Sequence, residues 1–203
     1  MNSIAFVGIK GGNGCTTSAH LACYGARIAA RPAYFLHTDM REPLKANGRP
    51  YKYVDARDVE VLKSYYNKLV SSPGDHWIVI DSGGNRANFD AELAKVVDLA
   101  IIPTDLDPES VELAKVHAEA LSEHTEVKIL VRCPLKLGRE DQALYDSIPS
   151  DLILGRVPIV KASKHLKASD PETGFVTAPT NVNNLARSVY KLINGHFNKP
   201  VEL

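Results

Sequence analysis

The segment Val7-Gly8-Ile9-Lys10-Gly11-Gly12-Asn13-Gly14-Cys15-Thr16-Thr17 constrains this chain more than any other. It follows a strand-length apolar run, Ser3–Val7, and opens an alanine-rich stretch of helical length, Cys15–Ala30. Glycines at 8, 11, 12 and 14 let the backbone bend tightly and bring its N–H groups around an oxyanion with no Cβ in the way. The start of the following helix adds the positive end of its dipole. A strand, a glycine turn and a helix in this order are the context a phosphate loop requires. Thr16 is then placed to offer its hydroxyl to Mg²⁺ and Thr17 to donate to a phosphate. The alternative is a glycine-rich strand-to-helix turn that holds no ligand.

Downstream, short apolar runs alternate with amphipathic stretches. Strands are expected at Ala33–His37, Trp77–Ile80, Leu99–Ile102, Val127–Val131 and Leu152–Leu154. Helices are expected at Val59–Val70, Phe89–Val97, Glu109–Leu121, Glu140–Ser147 and Val182–Ile193. Continuously apolar strands are those covered on both faces. Their alternation with helices predicts an α/β fold: a doubly wound, mostly parallel sheet with helices on both faces and right-handed crossovers. Ligands of such sheets sit beyond the carboxyl ends of the strands. Arg41–Ala56 shows no periodicity and reads as a surface excursion, and Ala168–Asn181 reads as a loop. Neither separates two domains, so residues 1–203 are expected to form one nucleotide-binding domain.

The composition is 44% hydrophobic and 24% charged, enough apolar material for a buried core and unlike that of a disordered tail. With 24 basic and 24 acidic residues the formal net charge is zero, which argues against binding nucleic acid by bulk charge. Cys15, Cys23 and Cys133 are odd in number and form no Cys-x-x-Cys pair, so neither a disulfide framework nor a zinc ribbon is indicated. A reducing cytoplasm fits best. The first residues lack the basic flank of a signal peptide, and no run reaches the roughly 18 apolar residues that span a bilayer.

Two strands end in acids. Phe35-Leu36-His37-Thr38-Asp39 places Asp39 beyond the second, and Trp77-Ile78-Val79-Ile80-Asp81 places Asp81 at the end of another, followed by Ser82-Gly83-Gly84-Asn85-Arg86. An aspartate at the carboxyl end of a strand beside a phosphate loop can hold a metal through water. Asp39 could instead simply cap a turn.

Together these segments resemble the ParA/MinD family of ATPases, whose phosphate loop reads Lys-Gly-Gly-x-Gly-Lys-Thr-Thr. The match holds at Lys10, Gly11, Gly12, Gly14, Thr16 and Thr17 and fails at Cys15, where the family has its second lysine. The resemblance implies ATP or ADP with Mg²⁺ as cofactors. The phosphates would lie on Gly11, Gly12, Asn13, Gly14, Cys15, Thr16 and Thr17, and the metal on Thr16, Asp39 and Asp81. It implies catalytic roles for Lys10, which in the family reaches across a nucleotide-sandwich homodimer, and for Asp39, which matches the second acid of an Asp-x-Asp and would position water. His37 stands where the family has the first acid. Ile129-Leu130-Val131-Arg132-Cys133 occupies the place where many relatives read adenine with Asn-Arg, but the asparagine is absent. Gly155-Arg156-Val157-Pro158-Ile159 resembles the segment that borders the base, which makes Pro158 a candidate contact.

A missing phosphate-bound ammonium costs on the order of 2–4 kcal/mol of transition-state stabilisation, roughly 10²–10³ in rate. Nucleotide binding is therefore expected with slow or absent hydrolysis. Cys15 has two readings. A thiol at a helix N-terminus can be reactive, or it can be a small neutral filler. Lys161, Lys164, His165 and Lys167, with Arg187 and Lys191, form a basic set that suits weak non-specific DNA binding, or an ordinary solvated face. The function these features imply is a dimerising nucleotide switch in plasmid partition or cargo positioning, assisted by an adaptor protein. The alternative is a catalytically inactive scaffold of a pilus, polysaccharide or conjugation assembly.

Overall fold

A computed structural model describes residues 1–40, 49–159 and 178–198. Seven strands form one sheet in the order β3-β2-β4-β1-β5-β6-β7. They are β1 (Asn2–Phe6), β2 (Ala33–His37), β3 (Lys52–Asp55), β4 (Trp77–Asp81), β5 (Leu99–Asp105), β6 (Glu126–Cys133) and β7 (Ile153–Pro158). Every pairing is parallel. The helices are α1 (Cys15–Ile28), α2 (Val59–Val70), α3 (Ala87–Ala94), α4 (Pro108–Ser122), α5 (Arg139–Asp146) and α6 (Thr180–Phe197).

The strands are apolar throughout because alternate side chains feed two cores. Ile4 and Phe6 of β1, with Trp77 and Val79 of β4, face Ala19, Ala22 and Ala26 of α1 and Val182, Ala186 and Val189 of α6. Ala5, Val7, Ile78 and Ile80 point the other way, onto Leu62 of α2, Leu93 of α3 and Ala114 and Ala118 of α4. This period of two on a sheet covered on both sides is what the continuous apolar runs require.

Four elements depart from the sequence expectations. The excursion expected at 41–56 contains β3, which pairs with β2 from Tyr34 against Lys52 to His37 against Asp55. As a four-residue edge strand it buries Val54 while Lys52 and Asp55 are exposed, so it carries no apolar run to betray it. The third helix begins at Ala87 and ends at Ala94, so its register lies before the expected 89–97. The last strand runs to Pro158 rather than stopping at Leu154, and the last helix starts at Thr180, inside the segment read as a loop.

Helix α1 is pressed against α6 so closely that a Cβ on Gly25 would stand 2.2 Å from the carbonyl oxygen of Ala186 and 2.7 Å from Cβ of Tyr190. In an open helix, replacing glycine by alanine gains about 1 kcal/mol. Here overpacking against a backbone carbonyl opposes that gain at a typical cost of about 1–3 kcal/mol or more. Gly25→Ala is therefore expected to lower stability by about 2 kcal/mol, seen as a reduced urea midpoint at unchanged slope. An unchanged or raised midpoint would contradict this packing.

Candidate phosphate-binding cleft

The loops after β1, β2 and β4 and the end of β6 converge on a polar cleft of about 240 Å³. Its wall is formed by Lys10, Gly12 to Thr17, Asp39, Gly83, Gly84 and Arg132. Gly14 is the N-cap of α1 with φ near 90°, a left-handed conformation that suits glycine, and the first turn of α1 holds no acid. The helix thus presents its unpaired N–H groups and positive end to the cleft with no competing negative side chain of its own.

A second turn, after β4, lies against the first. Asn85 N donates to Gly8 O at 2.8 Å, and a Cβ on Gly84 would meet Lys10 O at 2.9 Å and the Gly11 backbone at 3.3 Å. Gly83, with φ near 77°, leaves room for the Asp39 side chain, whose Cγ would lie 2.7 Å from a Cβ there. Asp39 is buried and on the cleft wall.

Thr16 and Asp81, 65 residues apart in sequence, meet here: Thr16 Oγ1 donates to Asp81 Oδ1 at 3.2 Å, and Gly83 N donates to the same oxygen at 3.2 Å. The other oxygen, Oδ2, is buried and accepts no hydrogen bond. His37 Nδ1 stands 3.4 Å from Oδ2 without forming one. A fully buried carboxylate oxygen without a donor is costly unless something else neutralises it. The residues therefore fit a divalent cation between the phosphate loop and β4, with one carboxylate fewer than an Asp-x-Asp would bring.

Behind this layer Ser82 Oγ donates to Asp90 Oδ1, and His117 Nε2 lies 3.1 Å from Asp90 Oδ2, with all three side chains buried. The carboxylate sits between hydroxyl and imidazole, so this is a brace tying β4 to α3 and α4 and not an activated serine. Arg86 adds a second tie. Its Nη1 donates to Thr38 O, and its guanidinium lies 3.8 Å over the Phe89 ring.

The cleft brings together Lys10, Gly12, Asn13, Gly14, Cys15, Thr16, Thr17 and Asp39, while Asp81 lies just beneath Thr16. Gly11 packs on Gly84 and, like Pro158 at the end of β7, is not on the cleft wall. Lys10 Nζ is bound to Glu109 Oε2 at the start of α4, 2.7 Å away, and this hydrogen bond raises its pKa. The Cys15 thiol turns away from solvent and donates to Val7 O at 3.3 Å. Burial, and after it the charges of Asp81 and Asp90, push its pKa well above the ordinary thiol value, the opposite of what a reactive thiolate needs. Lys161, Lys164, His165 and Lys167 lie outside the described residues. Arg187 and Lys191 are exposed, four residues apart on α6. Among the described residues no helix is long and apolar enough to cross a membrane.

Arg132 belongs to this site although the sequence placed it only in the base-reading segment. Its Nη1 donates to Asn13 O at 2.7 Å, and a Cβ on Gly14 would fall 2.1 Å from that nitrogen. The signal was present, a lone cation at the carboxyl end of the apolar run Ile129–Val131. Its direction was not.

No family profile and no curated protein matches the chain. Solved structures do. The MinD cell division protein of Aquifex aeolicus superposes with a TM-score of 0.67 at 15% identity, over 100% of this chain and 99% of that one. A candidate plasmid partition protein from Borrelia burgdorferi bound to AMPPNP gives 0.66 at 15%, over 96% and 99%. A variant of Cyanothece McdA in complex with ATP gives 0.66 at 13%, over 100% and 99%. The structural neighbours are thus MinD/ParA-type ATPases, and the fold of this chain is theirs.

Two outcomes follow. Cys15, Cys23 and Cys133 are all buried, so a thiol-exchange reagent at pH 8 should leave the native chain unmodified over minutes and titrate all three thiols after denaturation. A fast thiol in the native state that Cys15→Ser removes would refute this picture of Cys15. His117→Ala leaves the buried Asp90 carboxylate with a single donor and should cost about 3 kcal/mol in urea unfolding. Adding Asp90→Asn should recover part of that loss, because the unpaired charge is then gone.

Proposed function

We propose that this chain, residues 1–203 as one unit, is an atypical member of the MinD/ParA ATPases: a cytoplasmic, dimerising switch that binds ATP or ADP with Mg²⁺ and hydrolyses slowly or not at all. The observation that carries the reading is the meeting of Thr16 and Asp81 under a glycine loop, with Asp81 Oδ2 left open. Thr16, Asp39 and Asp81 would hold the metal, and the amides from Gly11 to Thr17 would receive the phosphates. Bound Mg²⁺ supplies neutralising charge to the phosphate oxygens. Asp39, two residues beyond β2 and on the cleft wall, would position a water by accepting a hydrogen bond from it. Lys10, 40% exposed at the rim, is placed to exchange Glu109 for a partner copy's ligand, which favours a dimer across the nucleotide. Arg187 and Lys191 would add the weak DNA affinity of a partition protein, and an adaptor protein would set the rate of the switch.

A second reading, a scaffold of an assembly machine that turns nothing over, is favoured by one observation. Cys15 is sealed, neutral and bound to Val7 O where the family carries a lysine. Both readings share the fold and differ in chemistry.

Calorimetric titration with Mg-ATP and Mg-ADP should show saturable binding of one nucleotide per chain. Heat indistinguishable from buffer at millimolar nucleotide would remove the proposal. Cys15→Lys should raise hydrolysis by roughly 10²–10³. No gain, with nucleotide still bound, would leave the scaffold.

A further inference from the structure

The loss of the loop's lysine leaves a question of charge. Di- and triphosphates carry several negative charges, and a backbone cradle alone is weak without a cation to match them. Among the described residues that line the cleft, the cations are Lys10 and Arg132. Lys10 is engaged by Glu109 on α4. Among the described residues Arg132 has no acidic partner, and its guanidinium makes one hydrogen bond, from Nη1 to Asn13 O at 2.7 Å. A guanidinium carries five N–H donors, so most of them remain for a ligand.

Its position is specific. The guanidinium lies against the loop at the N-cap of α1: from the place of a Cβ on Gly14, Nη1 is 2.1 Å, Cζ 2.7 Å and Nε 3.2 Å away. Only glycine admits that approach. Cys15, the position of the missing lysine, is the next residue, and the charge of Arg132 opposes the rise of the Cys15 pKa. Arg132 is half-buried, and β6, from which it projects, pairs with both β5 and β7, so it stands on rigid backbone.

We propose that Arg132 is the phosphate-binding cation that replaces the lysine absent at Cys15, supplied from the end of β6 instead of the first turn of α1. The proposal rests on the nucleotide reading above and deepens it. Arg132 acts as a binding residue for the diphosphate moiety that ADP and ATP share. Because it is anchored at Asn13–Gly14, it restores binding without restoring a side chain that follows charge through phosphoryl transfer. Tight binding and slow hydrolysis then have separate origins in one chain.

The test is titration of the full chain with Mg-ADP and with inorganic pyrophosphate, using wild type, Arg132→Gln, Arg132→Lys, Cys15→Lys and the double variant C15K/R132Q. One charge-assisted contact corresponds to a loss of about 10- to 100-fold in affinity on Arg132→Gln. Arg132→Lys should keep most of the affinity. The added lysine of C15K/R132Q should bring binding back to within a few-fold of wild type. That rescue is the outcome a merely loop-bracing arginine would not give, since its loss would weaken binding equally in the Cys15→Lys background. Arg132→Gln binding within twofold of wild type, or an undiminished loss in the Cys15→Lys background, overturns the proposal while leaving the nucleotide reading intact. A wild-type chain that binds neither nucleotide nor pyrophosphate overturns both.

Discussion

The close approach of two glycine turns, one after β1 and one after β4, is the constraint on which the rest of the cleft depends. Gly84 sits where a side chain would strike the Lys10 carbonyl, and Asn85 N reaches Gly8 O at 2.8 Å. That contact brings the first turn of α1 down onto the end of β4 and lets the Thr16 hydroxyl meet Asp81. It also leaves the space beside Gly83 for Asp39. Each of the three chemical groups in the cleft is thus positioned by backbone geometry before any side-chain preference matters. The parallel sheet supplies the framework, because β1 and β4 are paired in register from Asn2 against Trp77 to Phe6 against Asp81.

Negative charge is concentrated at one depth. Asp81, Asp39 and Asp90 are all buried around the end of β4. Asp90 is matched by Ser82 and His117, whereas Asp81 keeps one oxygen without a donor. The difference separates an acid with both oxygens satisfied from one that still has an oxygen available. A fold that had merely drifted into a scaffold role would gain stability by satisfying Asp81 as it satisfies Asp90. His37 Nδ1, 3.4 Å away, forms no hydrogen bond with Asp81 Oδ2 and would pair with it only as an imidazolium.

Much of this was legible in the sequence. Runs such as Trp77–Ile80 are apolar because both faces of a central strand are covered, so their number and alternation with helices gave the layered fold directly. The glycine loop and the two acids were legible because their chemistry depends on residue type at fixed spacing. β3 was hidden because an edge strand buries only alternate residues, and four residues are too few to show a period. The brace of Ser82, Asp90 and His117 and the tie from Arg86 were hidden because they join residues 8, 27 and 48 positions apart, which only the folded chain brings into contact. Arg132 was visible as a residue and invisible as a contact, since nothing in one dimension says that β6 ends above Asn13.

If Arg132 serves as proposed, the cysteine at position 15 marks a relocation of charge and not its deletion. A lysine on α1 would share its first turn with Thr16 and sit next to the carboxylate of Asp81, and the thiol that stands there instead is sealed against Val7. A cation at the end of β6 approaches the same loop at Asn13 and Gly14. A charge placed there would keep the electrostatic attraction for phosphate, which depends on distance. It would give up the directed contact with a leaving or migrating group, which depends on orientation. On that proposal affinity and turnover would be separable, because they would draw on different groups around one cleft.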